Sequence, residues 1–340
     1  MDRSMDRSMD RSMDRSMEAE GQMEKQAKKQ TEKCWDVFIY GDVNIDLVIP
    51  GVTALPGPGE EAETREMETF VGGGAALFAL GLGKLGVKVA FQGCVGADLY
   101  GTYILEVFRD QGLDCRFLEK RAGERTGISI SFTNAQDRSF LTMRGTNEDL
   151  DISKLHRGGV KGARHFHLTG YTARQHDRYL ALLQELKGES GLTISMDLGW
   201  DPTGAWDRRI YRLFPYLDVL FMNEGEALHY SRLATAEEAA RDFGDCMGAG
   251  GLAALKLGRK GSLAYRGGEL VVSPGFSVEV ADTTGAGDAF NAGFIYGFLQ
   301  GQSPEACLRY GNGCGACTVT RLGGNSAFPN EKALKAFISK

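Results

Sequence analysis

From Trp35 onward, short apolar β-prone runs alternate with longer helical segments, and this rhythm narrows the fold more than any other feature of the chain. Asp36-Val-Phe-Ile-Tyr40, Val87-Lys-Val-Ala-Phe91, Ala163 to Leu168, Leu192 to Asp197, Val219 to Met222 and Leu252 to Leu257 read as strands. Gly72 to Leu85, Leu99 to Arg109, Asp177 to Leu186, Glu237 to Met247, Gly285 to Gln300, Pro304 to Arg321 and Glu331 to Ser339 read as helices. Uninterrupted apolar runs suit strands buried on both faces, and strand–helix alternation predicts an α/β fold with a mostly parallel sheet. Sites in such folds lie at the carboxyl ends of the strands.

Between Cys115 and Met143 the pattern changes. Gly127-Ile-Ser-Ile-Ser-Phe132 and Ser139-Phe-Leu-Thr-Met143 alternate polar and apolar residues around a hairpin loop, Asn134-Ala-Gln-Asp137. Such strands have one wet face. With a half-exposed strand from Thr64 to Val71, they predict a small flap built from about 51–70 and 115–145.

Hydrophobic residues make up 42% of the chain, so one domain over residues 34–340 can bury a core without disulfides or metals. Seven scattered cysteines predict reduced thiols in a cytoplasmic protein rather than a secreted disulfide framework. Cys314-Gly-Ala-Cys317 reads as small-residue helix packing. A net charge of -6 argues against a nucleic-acid partner, and no apolar run reaches the length of a membrane span. Residues 1–33 open with four copies of Met-Asp-Arg-Ser and stay polar, so they read as a disordered or artefactual tail.

Asp282-Thr-Thr-Gly-Ala-Gly-Asp-Ala-Phe290 carries the chemistry. A β-prone stretch, Phe276 to Val280, precedes it and an apolar helix follows. Gly285, Ala286 and Gly287 would open that helix with unpartnered backbone N–H groups that can face an anion. Asp288 in the first turn can accept the proton of an attacking hydroxyl; a simple helix cap would use the same residues. Asn223 and Glu226 follow a strand at a spacing that shares a helix face, where they can equally serve as a cap. Lys256, Gly258 and Gly261 end a strand in a turn open to a phosphate or simply to a hairpin. Gly81-Leu-Gly-Lys-Leu-Gly86 matches a dinucleotide fingerprint but ends a helix instead of opening one, so close packing is expected there. His165 and His167 share a strand face without trusted metal spacing.

The Asp282–Phe290 segment resembles the C-terminal signature of ribokinase-like (PfkB) carbohydrate kinases, and the resemblance extends over residues 35–340. Gly41-Asp-Val-Asn-Ile-Asp46, Pro56-Gly-Pro-Gly59-Glu60, Gly72-Gly73, Val95 to Gly101, Asn223-Glu-Gly-Glu226, Lys256 to Gly261 and Thr320 to Gly323 follow in the family's order. The resemblance implies a three-layer sandwich with a small β lid, pairing with a second copy through that lid, and ATP-dependent phosphorylation of a small sugar. It implies Asp288 as base beside the 285–287 amides, and Asn44, Asp46, Gly72, Gly73 and the position of Leu77 at the acceptor. Asn223, Lys256, Gly258, Gly261 and Asn312 are implied at the nucleotide. Glu226 would hold Mg²⁺ through water, and Asp282, Thr284, Thr318, Arg321 and Gly323 a K⁺ site, mainly through backbone. Leu77 departs from the family's usual Asn and, with Phe78, suggests a more apolar pocket end and a nucleoside as the alternative acceptor. Arg144 opens a third option, a phosphorylated sugar, and a regulator without catalysis is the alternative from another class.

Overall fold

Val37 and Ile39 pack into one hydrophobic core while Phe38 and Tyr40 pack into another, so the first strand is covered on both faces. The computed structural model describes residues 33–51, 57–133, 138–148 and 150–339. In chain order the strands are β1 (Trp35–Tyr40), β2 (Asn44–Pro50), β3 (Glu68–Gly72), β4 (Val89–Gly96), β5 (Asp114–Arg121), β6 (Gly127–Thr133), β7 (Arg138–Met143), β8 (Ala163–Thr169), β9 (Thr193–Asp197), β10 (Val219–Asn223), β11 (Leu252–Lys256), β12 (Gly261–Arg266) and β13 (Glu269–Pro274). The helices are α1 (Gly74–Lys84), α2 (Leu99–Asp110), α3 (Arg157–Lys161), α4 (His176–Lys187), α5 (Glu224–Ser231), α6 (Ala236–Asp245), α7 (Ala286–Leu299), α8 (Pro304–Thr318) and α9 (Glu331–Ile338).

Nine strands form one sheet in the order β13-β12-β11-β10-β9-β8-β1-β4-β5. Every pair from β11 to β5 is parallel; β12 and β13 add an antiparallel edge. One core holds side chains of α1, α7 and α8, and the other those of α4 and α6, which makes three layers. Residues 35–340 form one unit, and among the described residues no helix is long and apolar enough to cross a membrane.

A second sheet, in the order β3-β2-β6-β7, forms the lid. Its membership corrects the expected 115–145 segment, because β5 pairs in parallel with β4 in the large sheet. β5 reads as a flap strand because it is an edge: of its eight residues only Leu118 is buried. An inner strand of the lid is instead β2, which carries Asn44 and Asp46, the residues implied at the acceptor. The strand expected over 64–71 is confined to β3. The stretch 276–280 is not a strand, since β13 ends at Pro274 and Phe276 packs against Phe337. The β12–β13 hairpin was not foreseen. The 1–32 part of the expected tail, the hairpin loop 134–137 and Pro56 lie outside the described residues.

Small residues let α7 and α8 approach closely. A Cβ on Gly293 would meet the Tyr310 carbonyl and Cys314 Sγ at 2.5 and 2.8 Å, and one on Gly311 would strike the Phe290 ring. Cys314 is buried in this contact and all seven cysteines are free thiols. Gly81 packs on Ala292 and Gly83 on Leu113, which accounts for the glycine pattern at the end of α1.

Candidate active site

The start of α7 lies where two cavities meet. Gly285 is its N-cap at φ 72°, a conformation that strains any residue with a Cβ, and no side chain caps the helix. The N–H groups of Gly287 and Asp288, in the first turn, have no partner within the helix. Asp282 braces the preceding loop. Its Oδ1 accepts from the Thr284 N–H (2.9 Å) and hydroxyl (2.7 Å), and its Oδ2 from the Gly323 N–H (3.0 Å).

The first cavity, roughly 690 Å³, is lined by Asp42, Asn44, Gly74, Thr169, Tyr171 and Asp288 among others. The second, roughly 620 Å³, is lined by Gly258, Gly261, Ala286, Gly287 and Asn312 among others. Successive residues of one helical turn thus face different cavities: Ala286 and Gly287 the second, Asp288 the first. Lys256 alone among the described residues lines both.

Asp288 sits against a concentration of carboxylates. Enclosure by the cavity wall pushes its carboxyl well above the ordinary range; Lys256 opposes this, while Asp197, Asp42 and Asp46 add to it. Lys256 Nζ donates to Asp197 Oδ2 at 2.6 Å, and Asn291 Nδ2 donates to the same oxygen at 2.6 Å. Burial pushes Asp197 upward, but the Lys256 ammonium and these hydrogen bonds outweigh it and hold the carboxylate ionised. Lys256 is held protonated against its burial by Asp197 and Glu226. Glu226 is 5% exposed, and its carboxyl is raised by burial and by Asp197. It also closes a capping box: Asn223 Oδ1 accepts the Glu226 N–H and Glu226 Oε2 accepts the Asn223 N–H, each at 2.9 Å. The cap reading of this pair is therefore realised, with Glu226 also lining the first cavity. Asp197 and Asn291 were missed as site residues. The available signal for Asp197 was its place at the carboxyl end of β9, two strands from Lys256 on the same sheet edge.

Asp42 was also missed, although it follows β1 directly. Its carboxylate accepts from the Gly74 N–H (3.1 Å), the Ala75 N–H (3.2 Å) and the Thr169 hydroxyl (3.2 Å), capping α1 from outside. Asn44 lines the cavity beside it. Asp46 stands behind, 8% exposed, with Oδ1 accepting from Asn44 Nδ2 at 2.8 Å. Burial pushes its carboxyl to about 6, against the Asn44 hydrogen bond. Gly72 leaves room for that carboxylate, which a Cβ would meet at 2.2 Å, and Gly73, at φ 94°, lets the 42–44 backbone pass. Those two glycines shape the wall from behind, while Gly74 lines it.

Leu77 and Phe78 do not reach the cavity. Leu77 is 3% exposed beneath Gly285 and Gly324, and Phe78 stacks on His167 at 3.8 Å. An apolar end of the pocket made by these two residues is thereby corrected: a leucine here fills the core under the loop. The exposed aromatic in the cavity is Trp200, edge-on to Trp206 and His229. Trp206 takes the left-handed conformation (φ 47°), held by its N–H on Asp201 Oδ2 (2.8 Å) and by stacking on His229. His165 and His167, on one strand face, share the Ser195 hydroxyl at 2.6 and 2.7 Å in a buried network.

In the second cavity, Asn312 Nδ2 donates to the Ser273 and Pro274 carbonyls, tying α8 to the hairpin. Of the residues implied for K⁺, Asp282, Thr284 and Gly323 are brought together. The Thr318 hydroxyl instead bonds the Cys314 carbonyl of its own helix, and Arg321 is exposed.

The profile described as pfkB family carbohydrate kinase matches residues 36–331. An ATP-dependent ribose-1-phosphate kinase of Halopiger xanaduensis is 31% identical over 88% of this chain and 97% of its own. A ribokinase of Haemophilus influenzae is 27% identical over 88% of this chain and 97% of its own. The crystal structure of a Thermotoga maritima ribokinase superposes with a TM-score of 0.76 at 26% identity, covering 90% of this chain and all of that one. With the family profile spanning nearly all of the unit that carries this cleft, the chain belongs to the pfkB family of carbohydrate kinases.

Proposed function

We propose that residues 35–340 act as a single kinase domain that transfers the γ-phosphoryl group of ATP to a hydroxyl of a small sugar or sugar derivative, with Asp288 as general base. The observation that carries this reading is the division of one helical turn between two cavities. Ala286 and Gly287, at the uncapped helix start, line one side, and a carboxylate of raised basicity lines the other.

In this reading the nucleotide occupies the cavity of Gly258, Gly261 and Asn312, and Asn44 with Asp42 orients the acceptor. The acceptor hydroxyl gives its proton to Asp288 as its oxygen bonds the γ-phosphorus in line with the departing β-phosphate oxygen. The Gly287 and Asp288 amides stabilise the charge on the transferring group, and Lys256, at the wall between the cavities, adds a fixed positive charge. Asp197 and Asn291 keep Lys256 charged and in place. The donor set suits Mg²⁺, which needs few carboxylates when phosphates supply the rest: Glu226 is buried, and the nearby ammonium is committed to Asp197. Mg²⁺ bound with the nucleotide would offset polyphosphate charge. The side chains at Asp282, Thr284 and Thr318 are already engaged in hydrogen bonds, so a K⁺ site would rest on backbone carbonyls and no step is assigned to it. Pairing of two copies through the lid is supported by β7, an edge strand with exposed Phe140, Leu141 and Met143, and light scattering tests it.

The test is an ADP-release assay across neutral sugars, sugar acids, sugar phosphates and nucleosides, with product mass measured. ATP-dependent gain of one phosphoryl group on a sugar supports the reading. Ligand binding across the panel without ATP consumption refutes it.

A further inference from the structure

The acceptor cavity has two chemically different ends. At one end Lys256 joins it to the nucleotide cavity; at the other it merges with a polar groove, sharing Glu148, Leu150, Arg174 and Gln175. Carboxylates crowd the first end. The second carries Arg174, and Arg144 lines the cavity from the turn that runs into Glu148. Arg144 and Arg174 are exposed, and neither has an ion-pair partner among the described residues. Among the described residues, some exposed arginines, such as 116, 164, 178 and 209, pair with a carboxylate and others, such as 65, 109 and 232, do not; Arg144 and Arg174 are set apart by lining this cavity. The acids near the two arginines do not compensate them: Asp151 pairs with Arg178, Asp201 is used by Thr203 and Trp206, and Glu148, exposed, contacts neither.

Both arginines project from anchored backbone. Asn147 fixes the Arg144 turn to the cavity floor, accepting the Val43 N–H at 3.2 Å and donating to the Val43 carbonyl at 2.9 Å. Gln175 fixes the Arg174 turn, accepting the Ile152 N–H at 3.0 Å and donating to the Leu150 carbonyl at 2.8 Å. Two guanidiniums without an ion-pair partner, lining one cavity, match a dianion better than a singly charged carboxylate. The carboxylates at the other end repel such a group and fix its direction.

From this geometry, and resting on the kinase reading above, we infer that the acceptor is a sugar phosphate, its existing phosphate held by Arg144 and Arg174 and its free hydroxyl facing Asp288. The hydroxyl oxygen bonds the γ-phosphorus, the bond to the bridging oxygen breaks, and the proton passes to Asp288. The products are a sugar bisphosphate and ADP, and the original phosphate ester is untouched.

The experiment compares kcat/KM for pentose and hexose monophosphates with the matching neutral sugars and sugar acids, using wild type, Arg144→Gln, Arg174→Gln and the double variant. Wild type is expected to prefer a sugar phosphate over its neutral sugar by about 100-fold or more. Each single variant is expected to lower that ratio by about 10–100-fold through KM, with kcat for the phosphate within about threefold and the melting temperature unchanged. Preference of the wild type for a neutral sugar or a sugar acid overturns the inference while leaving the kinase reading intact. So does an unchanged ratio in the double variant. Absence of ATP consumption with every acceptor overturns both.

Discussion

Replacing Asp288 with Asn keeps the size of the side chain and removes its ability to take a proton. General-base assistance contributes about 10²–10⁴-fold, equivalent to about 2.7–5.4 kcal/mol of barrier. The variant is expected to lose that factor in kcat at saturating ATP, while the acceptor KM changes by less than about threefold because the cavity wall is otherwise intact. Stability is expected to move the opposite way. The folded-state carboxyl of Asp288 is raised by enclosure and by neighbouring carboxylates, so the native state holds this proton more tightly than the unfolded chain. Its contribution to stability is therefore present below the unfolded value and lost as pH rises through the folded one. Once ionised, the group strains the fold, and Asn relieves that strain. The variant should melt higher at about pH 8, by about 1.5 °C per kcal/mol relieved, with the gap closing towards about pH 4. Turnover within about tenfold of wild type would refute the base assignment. A variant that melts lower at every pH would refute the charge-crowding argument.

Lys256→Met leaves Asp197 as an unpaired buried carboxylate; breaking such a pair costs about 3–5 kcal/mol, and calorimetry should show a marked fall in melting temperature alongside lost turnover. Gly285→Ala places a Cβ 2.8 Å from the Gly324 carbonyl oxygen at positive φ, so chemical denaturation should show a loss of at least about 1–2 kcal/mol, together with weaker ATP binding. Asp46, raised to about 6, holds Asn44 through its ionised form, so the acceptor KM should rise as pH falls below about 6. Asp46→Asn should flatten that rise in initial-rate measurements.

The layered architecture was legible because β1, β10 and β11 contribute apolar side chains to both cores, and their sequences show it as largely apolar runs. β5 was misassigned because an edge strand exposes one side and mimics a lid strand in its alternation. The stretch 276–280 failed for the converse reason: it alternates like a strand but has no neighbour to bond, and it lines a cavity instead. Within the site, Asp288 and the glycines around it were legible because local spacing defines a helix start. Asp42, Asp197 and Asn291 were not, since each acquires its role from partners distant in sequence: 32 and 127 residues for Asp42, 59 and 94 for Asp197. Leu77 misled because a pattern position was equated with a pocket position, whereas helix α1 turns it under the loop.

The short connection from β1 to β2 has a mechanical consequence. Residues 41–43 join the large sheet to β2, an inner strand of the lid, and Gly73 joins the lid to α1. Both links pass through the acceptor wall, where Asp42 ties one to the start of α1 and Asn147 clasps Val43. The lid's other attachments are residues 122–126, before β6, and the turn after β7, where Arg144 lines the same cavity. Force on it is transmitted through residues beside the acceptor, so a substitution far out on β6 or β7 should register first as a change in acceptor affinity.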